Sequence, residues 1–175
     1  MTRDEQSVVT TVDPRPGGNI RQAVRADLLS VLRIEREVFE HPWDFQSFER
    51  FVDVPGFLVM DDPEPGGSIG GDVAGYVVSD VIEPGTRPVG HVKDLAVKPE
   101  RQGEGRGRLL LQRSLSVLRS QGISEVHLEV RPSNDRALDL YRRQGFSFEG
   151  TKGNYYPDGE NALLLSRSLD DRDRF

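Results

Sequence analysis

The 175-residue chain contains no cysteine. That excludes disulfides, thiolate nucleophiles and zinc–thiolate sites together. No apolar run approaches the roughly 20 residues that a membrane-spanning helix needs. No basic-then-apolar leader opens the chain, so no signal peptide is expected, and a cytoplasmic location is. Lysine is scarce: Lys93, Lys98 and Lys152 are three of 23 basic residues, and arginine supplies the rest. Codon bias and a salt-adapted source would each produce that balance. Histidine occurs only at His41, His91 and His127. Their scatter gives no metal spacing, so no metal is expected, and His91 and His127 are read as structural. Basic charge is also in deficit. A net charge of −6 disfavours nonspecific nucleic-acid binding, which depends on neutralising phosphates. The same charge could attract a basic protein partner, or reflect salt adaptation.

What remains describes one globular domain. Its length is enough for a real core, and 30% charged against 35% hydrophobic residues fits a folded chain in water. Polar ends at 1–18 and 170–175 read as tails around a single domain over 19–169, a monomer or weak dimer. Hydrophobic periodicity, caps and glycine stops give strands at 20–24, 57–60, 72–81, 89–97, 124–130, 146–152 and 162–169. Helices follow Asp27 and Asp44 and fill 107–121 and 134–144, the last capped by Ser133. Residues 61–71 form a Pro/Gly-rich hairpin loop, and 153–160 join the last two strands. The order β-α-α-β-β-β-α-β-α-β-β implies a mixed α/β fold of the α+β type. A mostly antiparallel sheet of six to seven strands carries helices on both faces.

The most informative segment runs from Val97 to Leu111, VKPERQGEGRGRLLL. It reads as a strand end, a glycine loop and a helix start. Glycines at 103, 105 and 107 leave backbone N–H groups unshielded, and the helix adds its own free N–H groups and positive dipole end. That arrangement suits a phosphate. No Gly-Lys-Ser/Thr follows, so it is not a Walker A loop. Position 108 is arginine, so the dinucleotide fingerprint is incomplete. A simple glycine-rich cap on a surface helix is the alternative. Downstream, alternation in the strand puts Val126, Leu128 and Val130 on one face and His127 and Glu129 on the other. Glu129 is then either solvated or used, because an unpaired buried carboxylate is costly. Asn134, Leu138 and Tyr141 share one helix face. On spacing alone, Tyr141 can equally be a core aromatic and Trp43 a core anchor.

Gln102-x-x-Gly105-x-Gly107 resembles the pyrophosphate loop of the GNAT acyltransferases. The block LEVRPSNDRALDLYRRQGF at 128–146 resembles the family pattern LEVRxSNxxAxxLYxxxGF. With Gly153-Asn154-Tyr155-Tyr156-Pro157 and Glu160-Asn161-Ala162 it is similar to the RimI branch, which acetylates protein N-terminal α-amines. The resemblance spans roughly residues 19–169 and implies the GNAT fold. It implies acetyl-CoA as co-substrate, direct attack without a covalent enzyme intermediate, and a protein N-terminus, such as that of a ribosomal protein, as acceptor.

The resemblance also assigns roles. Glu129 matches the general base and Tyr141 the general acid. Backbone groups of Leu95, Ala96 and Val97 would meet the thioester. Residues Gln102, Gly103, Glu104, Gly105, Arg106, Gly107 and Arg108 would hold the pyrophosphate, and Asn134 the pantetheine. Arg101, Arg106 and Arg108 are candidates to reach phosphates. Arg106 replaces the family's usual aliphatic residue, which leaves it either exposed or in a charge contact. His41, Pro42 and Trp43 would face Tyr155 and Tyr156 across the acceptor site. His41 stands where RimI-like chains often carry Phe. Two other functions remain open: acetylation of a small amine or lysine side chain, and non-catalytic acyl-CoA sensing.

Overall fold

The computed structural model describes residues 18–62 and 72–170. The expected tails at 1–18 and 170–175 fall almost wholly outside them, as does most of the loop at 61–71. The chain runs β1 (Ile20–Gln22), a 3-10 turn (Arg25–Asp27), α1 (Leu28–Val38), α2 (Phe45–Glu49), β2 (Phe57–Asp61), β3 (Val73–Ile82) and β4 (Val89–Val97). A second 3-10 turn (Pro99–Arg101) leads to α3 (Arg106–Ser120), β5 (Glu125–Val130), α4 (Asp135–Arg143), β6 (Ser147–Lys152) and β7 (Ala162–Ser168). The helices and strands keep the order expected from the sequence. One seven-stranded sheet forms in the order β1-β2-β3-β4-β5-β7-β6. Every neighbouring pair is antiparallel except β4 and β5.

Helices cover both faces, so the inner strands bury both sides of the sheet. On β2, Phe57 and Val59 pack toward α1 and α2, with Val31, Ile34, Phe48 and Tyr76. Leu58 and Met60 point the other way, to Leu110, Leu111, Leu115 and Leu118 of α3. Each fully buried aliphatic side chain contributes roughly 1.5–3 kcal/mol, so these two layers hold the sheet rigid beneath the site.

Three local expectations need correction. Asp27 stands at the N-cap of α1 but makes no side-chain cap bond there. Its carboxylate accepts the Val24 N–H at 2.8 Å and pairs with Arg21, closing the 3-10 turn instead. The second helix stops at Glu49 rather than 52, although Asp44 caps it as expected by accepting from Ser47 N–H at 2.8 Å. The cap of α4 is Asn134 itself, whose Oδ1 accepts the Ala137 N–H at 3.1 Å. Ser133 gives its own backbone N–H to Glu160 at 3.1 Å.

Two irregularities shape the cleft. The parallel pairing of β4 with β5 covers only Gly90↔Val126, His91↔His127 and Val92↔Leu128, after which the strands part. One step earlier, Val78 lies opposite Asp94 and Ser79 opposite Val92. Lys93 is therefore the extra residue of a bulge. A bulge re-aims the side chains around it. Lys93 Nζ lies over the Phe51 ring at 5.9 Å, and Asp94 reaches Tyr76.

Candidate active site

The glycine loop has the expected form. Gly103 and Gly105 sit at φ +83° and +77°, which L side chains rarely adopt. A Cβ at either position would meet nothing closer than 3.8 Å, so the loop face is open. Gln102 secures its base: Nε2 donates to the Val97 carbonyl at 3.0 Å, and Oε1 accepts from Arg136 at 2.6 Å. The first N–H groups of α3 have no partner within the helix and join the loop as donors. Exposed Arg108 brings its guanidinium near Gly105. This set of donors fits a pyrophosphate.

Two arginines proposed for phosphates are placed elsewhere. Arg106 is 8% exposed, pairs with Glu104 at 2.7 Å and reaches Met60 Sδ at 3.5 Å. It is neither exposed nor turned to the loop's open face, so its contribution there is its backbone N–H. Arg101 pairs with Asp62 at 2.9 Å.

Glu129 is the most constrained group in the cleft. Its side chain is 10% exposed, with Oε2 2.5 Å from His91 Nε2 and Oε1 2.5 Å from Lys152 Nζ. The partners assign the imidazole tautomer. Lys93 Nζ lies 3.2 Å from His91 Nδ1 and can only donate, so Nε2 carries the hydrogen that goes to Glu129. Lys93 also pairs with Asp80 at 3.4 Å. A polar row thus crosses the sheet: Asp80, Lys93, His91, Glu129 and Lys152. Burial alone would raise the Glu129 carboxyl, but hydrogen bonds from His91 and Lys152 outweigh it and leave the group at about 2. His91 is therefore not a merely structural histidine. Sequence reading missed it because its partner lies 38 residues away. The available signal was the run of polar residues His91, Lys93 and Asp94 inside β4.

Tyr141 stands on α4, 9% exposed, with its ring edge-on to Phe146 at 5.8 Å. Burial, then the nearby Asp94 and Tyr156, push its phenol well above its ordinary value. It is both a core aromatic and a protonated donor. Leu95, Ala96 and Val97 lie where β4 leaves β5. The Leu95 N–H is engaged by Asp94 Oδ1 at 2.9 Å. Asn134 is exposed at the start of α4.

The two segments expected around the acceptor meet at His41. Ligand-type atoms of Glu40, His41 and Asp158 lie within 4.8 Å of one another, so the segment after α1 touches the loop between β6 and β7. All three residues are exposed, and nothing there marks an ion site. Tyr155 and Tyr156 meet edge to face at 5.0 Å. Arg131 holds that loop by pairing with Asp158 at 2.8 Å and Glu160 at 2.7 Å, with its guanidinium 3.9 Å from the Tyr156 ring centroid. Trp43 packs on Phe48 and Phe51 at 5.3 and 5.8 Å. It also lines a cavity of about 380 Å³ with Ser47, Arg50, Phe51 and Lys93. Trp43 is thus core anchor and wall at once.

Known proteins share this architecture. Residues 28–146 match the acetyltransferase (GNAT) family. The chain is 30% identical over 148 residues to the [ribosomal protein bS18]-alanine N-acetyltransferase of Escherichia coli, covering 80% of this chain and 90% of that one. It is 29% identical over 154 residues to the N-alpha-acetyltransferase of Sulfurisphaera tokodaii, covering 86% and 92%. The crystal structure of Ard1 from Thermoplasma volcanium superposes with a TM-score of 0.77 at 27% identity, over 89% of this chain and 99% of that one. With family match, fold and loop geometry in agreement, the chain belongs to the GNAT acetyltransferases.

Proposed function

We propose that the protein transfers the acetyl group of acetyl-CoA to the N-terminal α-amine of a protein, with Glu129 and Tyr141 as its catalytic residues. The observation that carries this reading is Glu129, an ionised carboxylate held by His91 and Lys152 where β5 parts from β4. An α-ammonium with an ordinary pKa near 8 enters between the His41–Trp43 segment and Tyr155–Tyr156. It then takes the place of Lys152 at Glu129 Oε1. The ammonium first gives up one proton to solvent; the free amine nitrogen then attacks the thioester carbon and becomes acidic as the C–N bond forms. Its proton passes to Glu129, directly or through a water. Backbone N–H groups of Leu95 to Val97 receive the oxyanion.

The C–S bond then breaks and coenzyme A leaves as a thiolate. Tyr141 meets it with its phenol hydrogen. Because burial strengthens the phenol's hold on that hydrogen, full transfer to a thiolate with pKa of about 8.5 is uphill. A hydrogen bond stabilises the leaving sulfur without completing the transfer. The glycine loop and Arg108 hold the pyrophosphate, and Asn134 and the Leu95–Val97 backbone the pantetheine arm.

Relatives that act on a ribosomal protein's alanine make an alanine-first, basic N-terminus the first acceptor to try, in line with this chain's acidic charge. The test is coenzyme A release and product mass on peptides with varied first residues, beside polyamines and α-blocked lysine. We expect turnover on free peptide N-termini. Glu129→Gln should lower kcat by about 10²- to 10⁴-fold. Turnover on polyamines or lysine alone would refute the acceptor assignment, and full activity of Glu129→Gln combined with Tyr141→Phe would refute the catalytic one.

A further inference from the structure

Three residues outside the reaction path form the most enclosed polar group on the α1 side of the sheet. Glu35 on α1 is 1% exposed and Tyr76 on β3 is 0% exposed. Asp94, on the bulged segment of β4, is partly buried beside them. Glu35 Oε1 accepts the Trp43 N–H at 2.7 Å, and Oε2 accepts the Tyr76 hydroxyl. Asp94 Oδ1 accepts the Leu95 N–H at 2.9 Å, and Oδ2 lies 3.1 Å from the Tyr76 hydroxyl oxygen.

Counting hydrogens fixes the charge. Two carboxyl oxygens contact one phenol, and two hydrogen bonds need two hydrogens. The phenol supplies one. Both carboxyl groups also accept a backbone N–H, so the choice falls to the phenol, whose closer contact is with Glu35 and which gives its hydrogen there. The second hydrogen must then sit on Asp94 Oδ2 and point at the phenol oxygen. Glu35 is the carboxylate and Asp94 the carboxylic acid.

We propose that Glu35, Tyr76 and Asp94 form a clamp, closed by one buried proton, that positions the acceptor loop against the thioester-binding strand. Its two ends are the evidence. One is the backbone N–H of Trp43, in the segment that walls the acceptor site. The other is the N–H of Leu95, held by Asp94 Oδ1 at the start of the strand segment proposed to meet the thioester. A neutral acid grips the Leu95 N–H more weakly than a carboxylate would, so the protonated clamp leaves that donor usable. Loss of the proton would place two buried carboxylates together. It would also tie up the Leu95 N–H and force the Trp43 segment away. Burial, then the charge of Glu35, raise the Asp94 carboxyl well above the usual carboxylate range. The titratable groups facing Asp94 are Glu35 from α1, Tyr76 from β3 and Tyr141 from α4. None is a cation, and neighbouring Lys93 is turned to Asp80 and His91.

The proposal rests on the acetyltransferase reading of the cleft, and its test separates the two. Asp94→Asn is a neutral isostere that keeps both contacts. Glu35→Gln moves the charge onto Asp94, next to Leu95. Acetyl-CoA affinity by calorimetry, and kcat with both KM values, are measured from about pH 6 to about pH 10. Circular dichroism checks folding. We expect wild-type acetyl-CoA affinity to fall by up to about tenfold per pH unit above the clamp's titration. Asp94→Asn should lack that fall and keep kcat near wild type at neutral pH. Glu35→Gln, if folded, should lose about tenfold or more in kcat; if it does not fold, the Asp94→Asn affinity profile decides alone. The same alkaline fall in Asp94→Asn as in wild type, or a folded Asp94→Asn with kcat at least tenfold down, overturns the clamp. Absence of peptide turnover would instead overturn the acceptor assignment, while the affinity profile still reads the clamp.

Discussion

The proposed entry of an α-ammonium at Glu129 makes Lys152 its competitor, and removing Lys152 should then improve acceptor binding. Its Nζ lies 2.5 Å from Glu129 Oε1, the oxygen that an incoming α-ammonium needs. Glu129 sits at about 2 against an ordinary 4.5. At 1.36 kcal/mol per unit, the net stabilisation of the ionised form is about 3 kcal/mol. Burial opposes this, His91 contributes the larger favourable share, and Lys152 follows. The Lys152 side chain is 46% exposed, so solvent screening limits its pair to about 1 kcal/mol or less. Lys152→Met keeps the stem beside Tyr155 and deletes the charge. The peptide KM should therefore fall by up to about fivefold, and kcat should change little, since Glu129 stays ionised at neutral pH. Lys152→Arg should behave as wild type. The assay is initial rate against peptide at saturating acetyl-CoA, on variants with matched circular dichroism. A KM raised several-fold would make Lys152 a substrate ligand and refute the competition. An unchanged KM would show that the ion pair is not displaced.

Two further outcomes follow from the site. The folded carboxyl of Glu129 lies below its unfolded value, so its stabilisation is present above about pH 4.5 and is lost as pH falls toward about 2. Urea unfolding should show wild type more stable than Glu129→Gln by up to about 3 kcal/mol at neutral pH. That gap should close across the acid window, and a gap independent of pH contradicts the assigned shift. Gly105→Ala places a Cβ at φ +77°, costing about 1–2 kcal/mol. It should weaken acetyl-CoA affinity in calorimetry more than it changes peptide KM.

Much of this molecule is legible in its sequence because its elements announce themselves locally. The glycine stops after α3 and α4, the apolar period of α3 and the alternation of β5 need no tertiary knowledge. The open phosphate loop is legible for the same reason, since glycine spacing acts on the backbone directly. What could not be read are contacts set by register. His91 meets Glu129 only because β4 and β5 run parallel in one particular alignment. Asp94 turns to Tyr76 and Glu35 because a bulge at Lys93 re-aims the strand, and no residue there signals a bulge. Arg106 looked like a phosphate ligand because its neighbours are loop glycines. Its first position in α3 instead directs it under the loop to Glu104 and Met60. The cap of α4 shifted from Ser133 to Asn134 because both residue types favour that position, and only the backbone decides between them.

The parting of β4 from β5 after three paired positions gives the sheet an edge in its own interior. Outer edges are hazards, because any extended chain can add to them. This one is flanked by a strand on each side and roofed by helices, so a foreign strand cannot lie along it. A thin, amide-bearing arm can, and it would complete the hydrogen-bonding ladder as a non-protein strand would. Recognition of that kind reads backbone rather than side chains. The residues along the slot are then free to vary, while its width is not, and substitutions that close or widen the gap should harm the protein more than those that alter its lining.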